Sequence, residues 1–184
     1  MNHHDMTRNM VLAALFAALT AIGAFLQIPT GTVPITLQFL FTALAGLLLG
    51  WKWGAISQLL YVGLGLLGLP VFTQGGGIGY VLQPSFGFLL GLIPAAAVIG
   101  ALTARRTGYL TVLAAVLVGD LILYAVGVPY MYLILHVYMQ SAKTFPALLA
   151  AMLVYVPGDT LKIVVVTALV PVLRRTLAKA VPNL

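Results

Sequence analysis

An all-α integral membrane protein with six transmembrane helices and both termini in the cytoplasm is the fold class this sequence predicts, as one domain over residues 1–184. Three observations lead there. Of 184 residues, 62% are hydrophobic and only 7% are charged, whereas a soluble domain carries about 25% charged residues. Apolar stretches recur from end to end, and each can supply the about 20 residues that a spanning helix needs. The few cations gather at alternate ends of those stretches.

The first stretch, 10–28, follows a polar start and stops at Pro29-Thr30-Gly31. It is too long for a signal-peptide core and has no clear cleavage site, so it is expected to remain as span one. Span two follows Pro34 and ends at Trp51-Lys52-Trp53, two aromatics bracketing a cation, as at a membrane–water boundary. Span three, 54–69, meets Pro70. A glycine-rich loop, Gln74-Gly75-Gly76-Gly77-Ile78-Gly79-Tyr80, leads to span four, 84–103, which ends at Arg105-Arg106. Span five covers 109–126. The stretch 127–146 is more polar than a span should be, with Pro129, Tyr130, Tyr132, His136, Tyr138, Gln140, Lys143 and Pro146. It reads as an interfacial or re-entrant segment. Pro157-Gly158 then interrupts a further apolar stretch. Proline suits a first helical position but breaks the hydrogen-bond ladder inside a helix. Span six is therefore expected at 157–173, with 147–156 a short helix that need not cross.

Orientation follows from the cations. With the N-terminus inside, Arg8, Lys52, Arg105, Arg106, Arg174, Arg175 and Lys179 are inner, Lys143 alone is outer, and Lys162 lies within a span. The positive-inside rule then puts both ends in the cytoplasm. The formal charge of +6 is spread singly and in pairs, not as a phosphate-binding stripe, so no nucleic-acid partner is expected. The chain has no cysteine, hence no disulfide, thiol nucleophile or Cys-ligated metal. It has no G-x-x-x-x-G-K-[ST] loop, so it cannot hydrolyse ATP by that route. H-E-x-x-H and G-x-S-x-G are also missing, and His136 stands alone. No ring of charges suits an ion channel. Neither an enzyme nor a metal or cofactor is expected.

Of three acidic residues, Asp120 and Asp159 lie in or beside spans. A carboxylate in hydrocarbon costs about 2.5–3.5 kcal/mol, so such groups face a cavity or a partner. Asp159 has a partner three residues on in Lys162, on the same helix face, and sits where the helix dipole favours negative charge. Two readings stand: a ligand-binding pair, or a helix cap with Lys162 snorkelling to the outer interface. For Asp120, a hydrogen bond from Tyr124 makes a satisfied buried carboxylate. Gly75, Gly76, Gly77 and Gly79 form either a flexible linker or a backbone that lets amides approach a ligand, flanked by Gln74, Tyr80 and Gln83. Thr36 and Gln38 are expected at the outer start of span two, near that loop. Small residues recur four apart, at Ala13 and Ala17, Ala14 and Ala18, Gly46 and Gly50, Gly87 and Gly91. Such pairs let helices approach closely, within the chain or against another one.

These elements together resemble the BioY family. The resemblance rests on Val33-Pro34-Ile35-Thr36-Leu37-Gln38, Gly68-Leu69-Pro70-Val71-Phe72, and Gly75-Gly76-Gly77 with Pro84 and Gly87. It continues through Tyr124-x-x-Gly127-x-Pro129 and Pro157-Gly158-Asp159-x-x-Lys162, so it runs in order through nearly the whole chain. Members are the biotin-specific substrate-binding subunits (S components) of energy-coupling-factor transporters. The resemblance implies a six-helix S-component fold in a bacterial plasma membrane, with a biotin pocket near the outer face. It also implies a transmembrane coupling subunit and two cytoplasmic ATPase subunits as partners. Asp159 and Lys162 match the family's ligand-contacting pair, Gly76, Gly77 and Tyr80 would add loop contacts, and Gln38 and Thr36 would stand at the rim. Ala14 and Ala18, with Ala13 and Ala17 close behind, are the candidates for packing on the coupling subunit. Many members read G-P-T-G-G-Y after the glycine-rich loop, where this chain has Gln83-Pro84-Ser85-Phe86-Gly87-Phe88, followed by Leu89 in place of a polar or basic residue. An S component for thiamin or riboflavin, a small autonomous carrier and a small membrane enzyme are the rival readings.

Overall fold

The computed structural model describes residues 3–30, 33–105 and 108–180, with side chains described from Asp5 to Leu173. Arg106 lies outside the described residues, as do the side chains of Arg174, Arg175 and Lys179. The fold is all-α, with six helices: α1 (His3–Phe25), α2 (Gln38–Leu66), α3 (Phe86–Leu102), α4 (Tyr109–Leu133), α5 (Phe145–Ala151) and α6 (Val156–Ala180). One feature departs from the all-helical expectation. The end of the first apolar stretch forms β1 (Gln27–Ile28), paired antiparallel with β2 (Ile35–Thr36), Gln27 opposite Thr36 and Ile28 opposite Ile35. This ribbon satisfies backbone groups that leave one helix before the next begins.

The second and third expected spans are the two arms of α2, folded back on each other at Gly50. Its φ of 77° and ψ of 179° lie in a region open in practice only to glycine. Residues equidistant from the fold meet across it. Gln38 Nε2 donates to Tyr61 Oη at 2.8 Å and Thr42 Oγ1 to Gln58 Oε1 at 2.9 Å. At the tip, a Cβ on Gly54 would stand 2.9 Å from Gly46 Cα. Small residues here let two backbones touch, as in membrane helix pairs. By the rise of 1.5 Å per residue, arms 38–49 and 51–66 run about 18 and about 24 Å. Both fall short of the about 30 Å of a bilayer core.

The expected interfacial segment over 127–146 is corrected by α4, which continues through Gly127 and Pro129 to Leu133 and then as a π-turn through Ile134–Tyr138. The polar residues up to Tyr138 are accommodated without leaving the helix, whereas Gln140 and Lys143 lie in the loop that leads to α5. Tyr130 donates its hydroxyl to Val81 O at 2.5 Å, Tyr132 stacks on His136, and Val128, Met131, Ile134 and Leu135 are buried. Gly127 accepts the Phe88 ring where a Cβ would stand 2.4 Å from it. The sixth helix starts at Val156, one residue before the expected Pro157.

Helix α2 packs against α1 and α3, and α3 against α4, while α6 closes the bundle more lightly against α2 and α4. Three continuous helical stretches among the described residues are long and apolar enough to cross a membrane, Asp5–Phe25, Tyr109–Tyr138 and Val156–Leu173, and Gln38–Leu66 reaches that length only as its two arms counted together. Leucines and isoleucines such as Leu15, Ile22, Leu110, Leu121 and Leu161 project outward from them, exposed. On α1, Ala13 and Ala17 are buried in the chain's own core, whereas Ala14 and Ala18 lie on the exposed face. The first pair is therefore already occupied, which corrects its candidacy for an external contact. Gly46, Gly87 and Gly91 likewise pack internally, against Ala96, Tyr130 and Leu123.

Because the reversal of α2 depends on a backbone state that side chains resist, Gly50→Ala should destabilise the protein by about 1–3 kcal/mol. The check is a lowered thermal midpoint in detergent, with Gly63→Ala, where no atom crowds the added methyl, as the comparison.

Candidate functional site

The site is built on the first turns of α6. Asp159 and Lys162 lie three residues apart on one helix face, with Oδ1 and Nζ 2.5 Å apart and side chains 9% and 10% exposed. Two buried charges need further hydrogen bonds as well as each other, and the neighbouring elements supply them. The Tyr124 hydroxyl, on α4, donates to Asp159 Oδ2. Lys162 Nζ donates to Thr36 O, on β2, at 3.2 Å. Helix α6, the ribbon and α4 thus converge on one ion pair.

A relay runs on from Thr36. Its Oγ1 donates to Gln38 Oε1 at 2.9 Å, Gln38 Nε2 donates to Tyr61 Oη at 2.8 Å, and Tyr61 Oη donates to Val71 O at 3.1 Å. Both arms of α2 and the segment before the glycine-rich loop are tied to the pair in this way. Tyr80 is buried with its hydroxyl 2.9 Å from Thr73 Oγ1, and its ring lies between Phe72 and Phe86.

The ion pair and several of the side chains tied to it line a cavity of about 70 Å³. Polar groups come from Thr36, Gln38, Tyr80, Tyr124, Asp159 and Lys162, and the apolar wall from Phe39, Phe88, Leu89, Leu92 and Met152. A mostly apolar hollow with a few convergent polar groups is the usual form of a small-molecule site. Five of the sequence-nominated ligand residues therefore meet here: Asp159, Lys162, Tyr80, Gln38 and Thr36.

Gly76 and Gly77 do not line the cavity, which corrects their nomination as loop contacts. They shape the turn behind its wall. A Cβ on Gly76 would stand 2.1 Å from Leu69 O, while Gly77, at φ 103°, donates its N–H to Gly65 O at 2.7 Å. That turn launches the 3₁₀ segment Ile78–Leu82, which delivers Tyr80. The glycines act through the residue they position, and the loop is a pinned structure rather than a linker.

Asp120 also departs from expectation. The hydroxyl of Tyr124, one turn on, goes to Asp159, and Asp120 Oδ1 is buried with no hydrogen-bond partner among the described residues. Phe86 stands in the core against Tyr80 and Tyr130, so its bulk does not reach the cavity, whereas Phe88 lines it edge-on to Tyr124. Tyr155 was not singled out in the sequence, yet it walls the cavity and donates to Val33 O at 2.5 Å. Its position four residues before Asp159, on the same helical face, was the available signal. Among the described residues no group of His, Asp or Glu could hold a metal.

Known proteins share both the sequence and this architecture. Residues 1–179 match the BioY family. A biotin transporter BioY of Rhodobacter capsulatus is 42% identical, covering 97% of this chain and 97% of its own. One from Thermotoga maritima is 36% identical over 86% of this chain and 90% of its own. A probable biotin transporter BioY of Lysinibacillus sphaericus is 53% identical over 76% of this chain and 72% of its own. The crystal structure of the S-component for biotin from an ECF-type ABC transporter superposes with a TM-score of 0.83 at 30% identity, covering 95% of each chain. With its long apolar helices and this match over nearly its whole length, the chain belongs to the BioY family of multi-pass membrane transporter proteins, not to a family of enzymes.

Proposed function

We propose that this chain is the biotin-binding S component of an energy-coupling-factor transporter, capturing biotin at the end of the bundle that carries the ribbon and the glycine-rich loop. The observation that carries the reading is the buried Asp159–Lys162 pair facing a mostly apolar cavity. Biotin matches that chemistry. Its ureido ring offers N–H donors to the Asp159 carboxylate and a carbonyl oxygen to the Lys162 ammonium. Its sulfur ring and carbon chain suit Phe39, Phe88, Leu89 and Leu92.

In this reading the chain works as a single domain that crosses the membrane six times, with the arms of α2 as two of the crossings and both ends cytoplasmic. The cation distribution supports that topology: Arg8, Lys52 and Arg105 against Lys143. The sequence has no phosphate-binding loop, so energy has to come from partners, a transmembrane coupling subunit and two cytoplasmic ATPases. The outward face of α1 around Ala14 and Ala18 is the surface proposed to pack on the coupling subunit, since small exposed side chains permit close helix contact. Release then occurs inside, as the body topples against that subunit.

Titration calorimetry on the purified protein should give one-to-one biotin binding, lost in Asp159→Asn and in Lys162→Ala. Unchanged affinity in both variants would remove the pair from the site. A second expectation separates binding from coupling. Replacing Ala14 and Ala18 by leucine should leave biotin affinity intact and reduce ATP-driven uptake into proteoliposomes by about tenfold or more, the effect of losing a close helix contact worth roughly 1–2 kcal/mol. Uptake at the wild-type rate would refute that face as the docking surface.

A further inference from the structure

A second hollow, of about 360 Å³, lies beside the first and shares two wall residues with it, Met152 and Tyr155. Lys143 is among the residues that line it. This ammonium differs from that of Lys162. Lys162 is buried and already engaged by Asp159 and Thr36 O, whereas Lys143 is exposed and its side chain has no ion pair or hydrogen bond among the described residues. It is also the single cation that the sequence assigns to the outer side.

The first cavity, at about 70 Å³, is small beside the about 300–1,000 Å³ of ordinary small-molecule sites. A bicyclic head on the ion pair leaves no room there for a charged tail, and the wall around it is aromatic and aliphatic at Phe88, Leu89 and Leu92. An unpaired carboxylate against such a wall would be unfavourable. Met152 and Tyr155 stand in the wall common to both hollows. Methionine is flexible and readily moved, and the Tyr155 hydroxyl stands between the hollows, bonded to Val33 O of the first and 3.0 Å from Thr30 Oγ1 of the second.

From this juxtaposition we propose that the second hollow is a carboxylate subsite, in which Lys143 holds the acid end of a ligand whose ring system sits on Asp159 and Lys162. The inference rests on the biotin reading and adds a specificity-determining residue to it. Lys143 selects the free acid over uncharged derivatives, and Met152 and Tyr155 form the threshold that the carbon chain crosses. Because Lys143 is exposed, its contribution belongs at the weak end of charge-assisted contacts.

Affinities for biotin and for biotin methyl ester, measured on wild type, Lys143→Ala and Lys143→Arg in detergent, test the proposal. Wild type should prefer the acid. Lys143→Ala should weaken biotin about threefold to fivefold and leave the ester unchanged, and Lys143→Arg should restore the preference. Biotin affinity untouched by Lys143→Ala, or an equal loss on acid and ester, would overturn the subsite while leaving the biotin reading intact. Wild-type protein that binds neither compound would overturn both.

Discussion

Two opposite charges buried three residues apart near the start of α6 organise the end of the molecule that holds the cavity. In a low-dielectric interior an ion pair does not stabilise a fold by itself, since desolvation offsets most of the attraction. What makes the pair tolerable is that each charge has a further hydrogen-bond partner: Tyr124 on Asp159 and the Thr36 carbonyl on Lys162. Each partner lies on a different element, so the need to satisfy two charges fixes the positions of α4, the ribbon and α6 together. The ribbon itself is accounted for this way. It holds Thr36 O toward Lys162 and Thr36 Oγ1 toward Gln38.

The same logic extends down the bundle through uncharged groups. Thr20, Thr42 and Gln58 are fully buried, and Gln58 bridges the other two, taking a hydrogen bond from Thr42 and giving one to Thr20 at 3.3 Å. Such contacts between membrane helices are worth about 0.6–2 kcal/mol each. They hold both arms of α2 to α1 where hydrophobic association offers little, since lipid is as apolar as the helices. Glycine contacts at Gly46, Gly54 and Gly100 complete the packing near the tip, where a Cβ on Gly100 would stand 2.3 Å from Trp51 N. The short arms of α2 are kept by this combination of close approach and polar pairing.

The legible parts of the sequence were those with few alternatives in a membrane. Composition settled the class, and a charged pair in an apolar span left two readings, a ligand site or a helix cap with Lys162 snorkelling to the interface, so Asp159 and Lys162 stood out at once. Pro157 marked the start of α6 to within a residue. The polar stretch after Gly127 misled because tyrosine and proline lower apparent hydrophobicity. In the folded chain Tyr130 spends its hydroxyl on Val81 O, and the helix passes through Pro129. The role of Gly76 and Gly77 was also out of reach. Glycine spacing announces close approach without saying whether the thing approached is a ligand or, as here, the carbonyls of Gly65 and Leu69. Tyr124 was seen but joined to Asp120 by sequence proximity, whereas the fold offered it a carboxylate from another helix.

The architecture also bears on how a ligand held at Asp159 and Lys162 could leave by the opposite end. Beneath the cavity, Phe39, Leu92 and Leu123 give way to the fully buried Thr42, Gln58 and Ile99, and then to the glycine contacts at the fold of α2. Interiors packed in this way do not open one side chain at a time, and parting the arms of α2 would strand the amide of Gln58 in hydrocarbon. Opening a channel along the bundle axis is therefore the expensive route. Moving the bundle as one body, with the cavity carried from one face of the membrane toward the other, keeps the buried polar contacts intact. Under the proposed function, that motion would exchange contacts on the outer surface, among them those of the exposed face of α1 at Ala14 and Ala18, for contacts with a partner. On that reading, the packing that keeps the cavity end rigid leaves the work of release to the surface rather than to the interior.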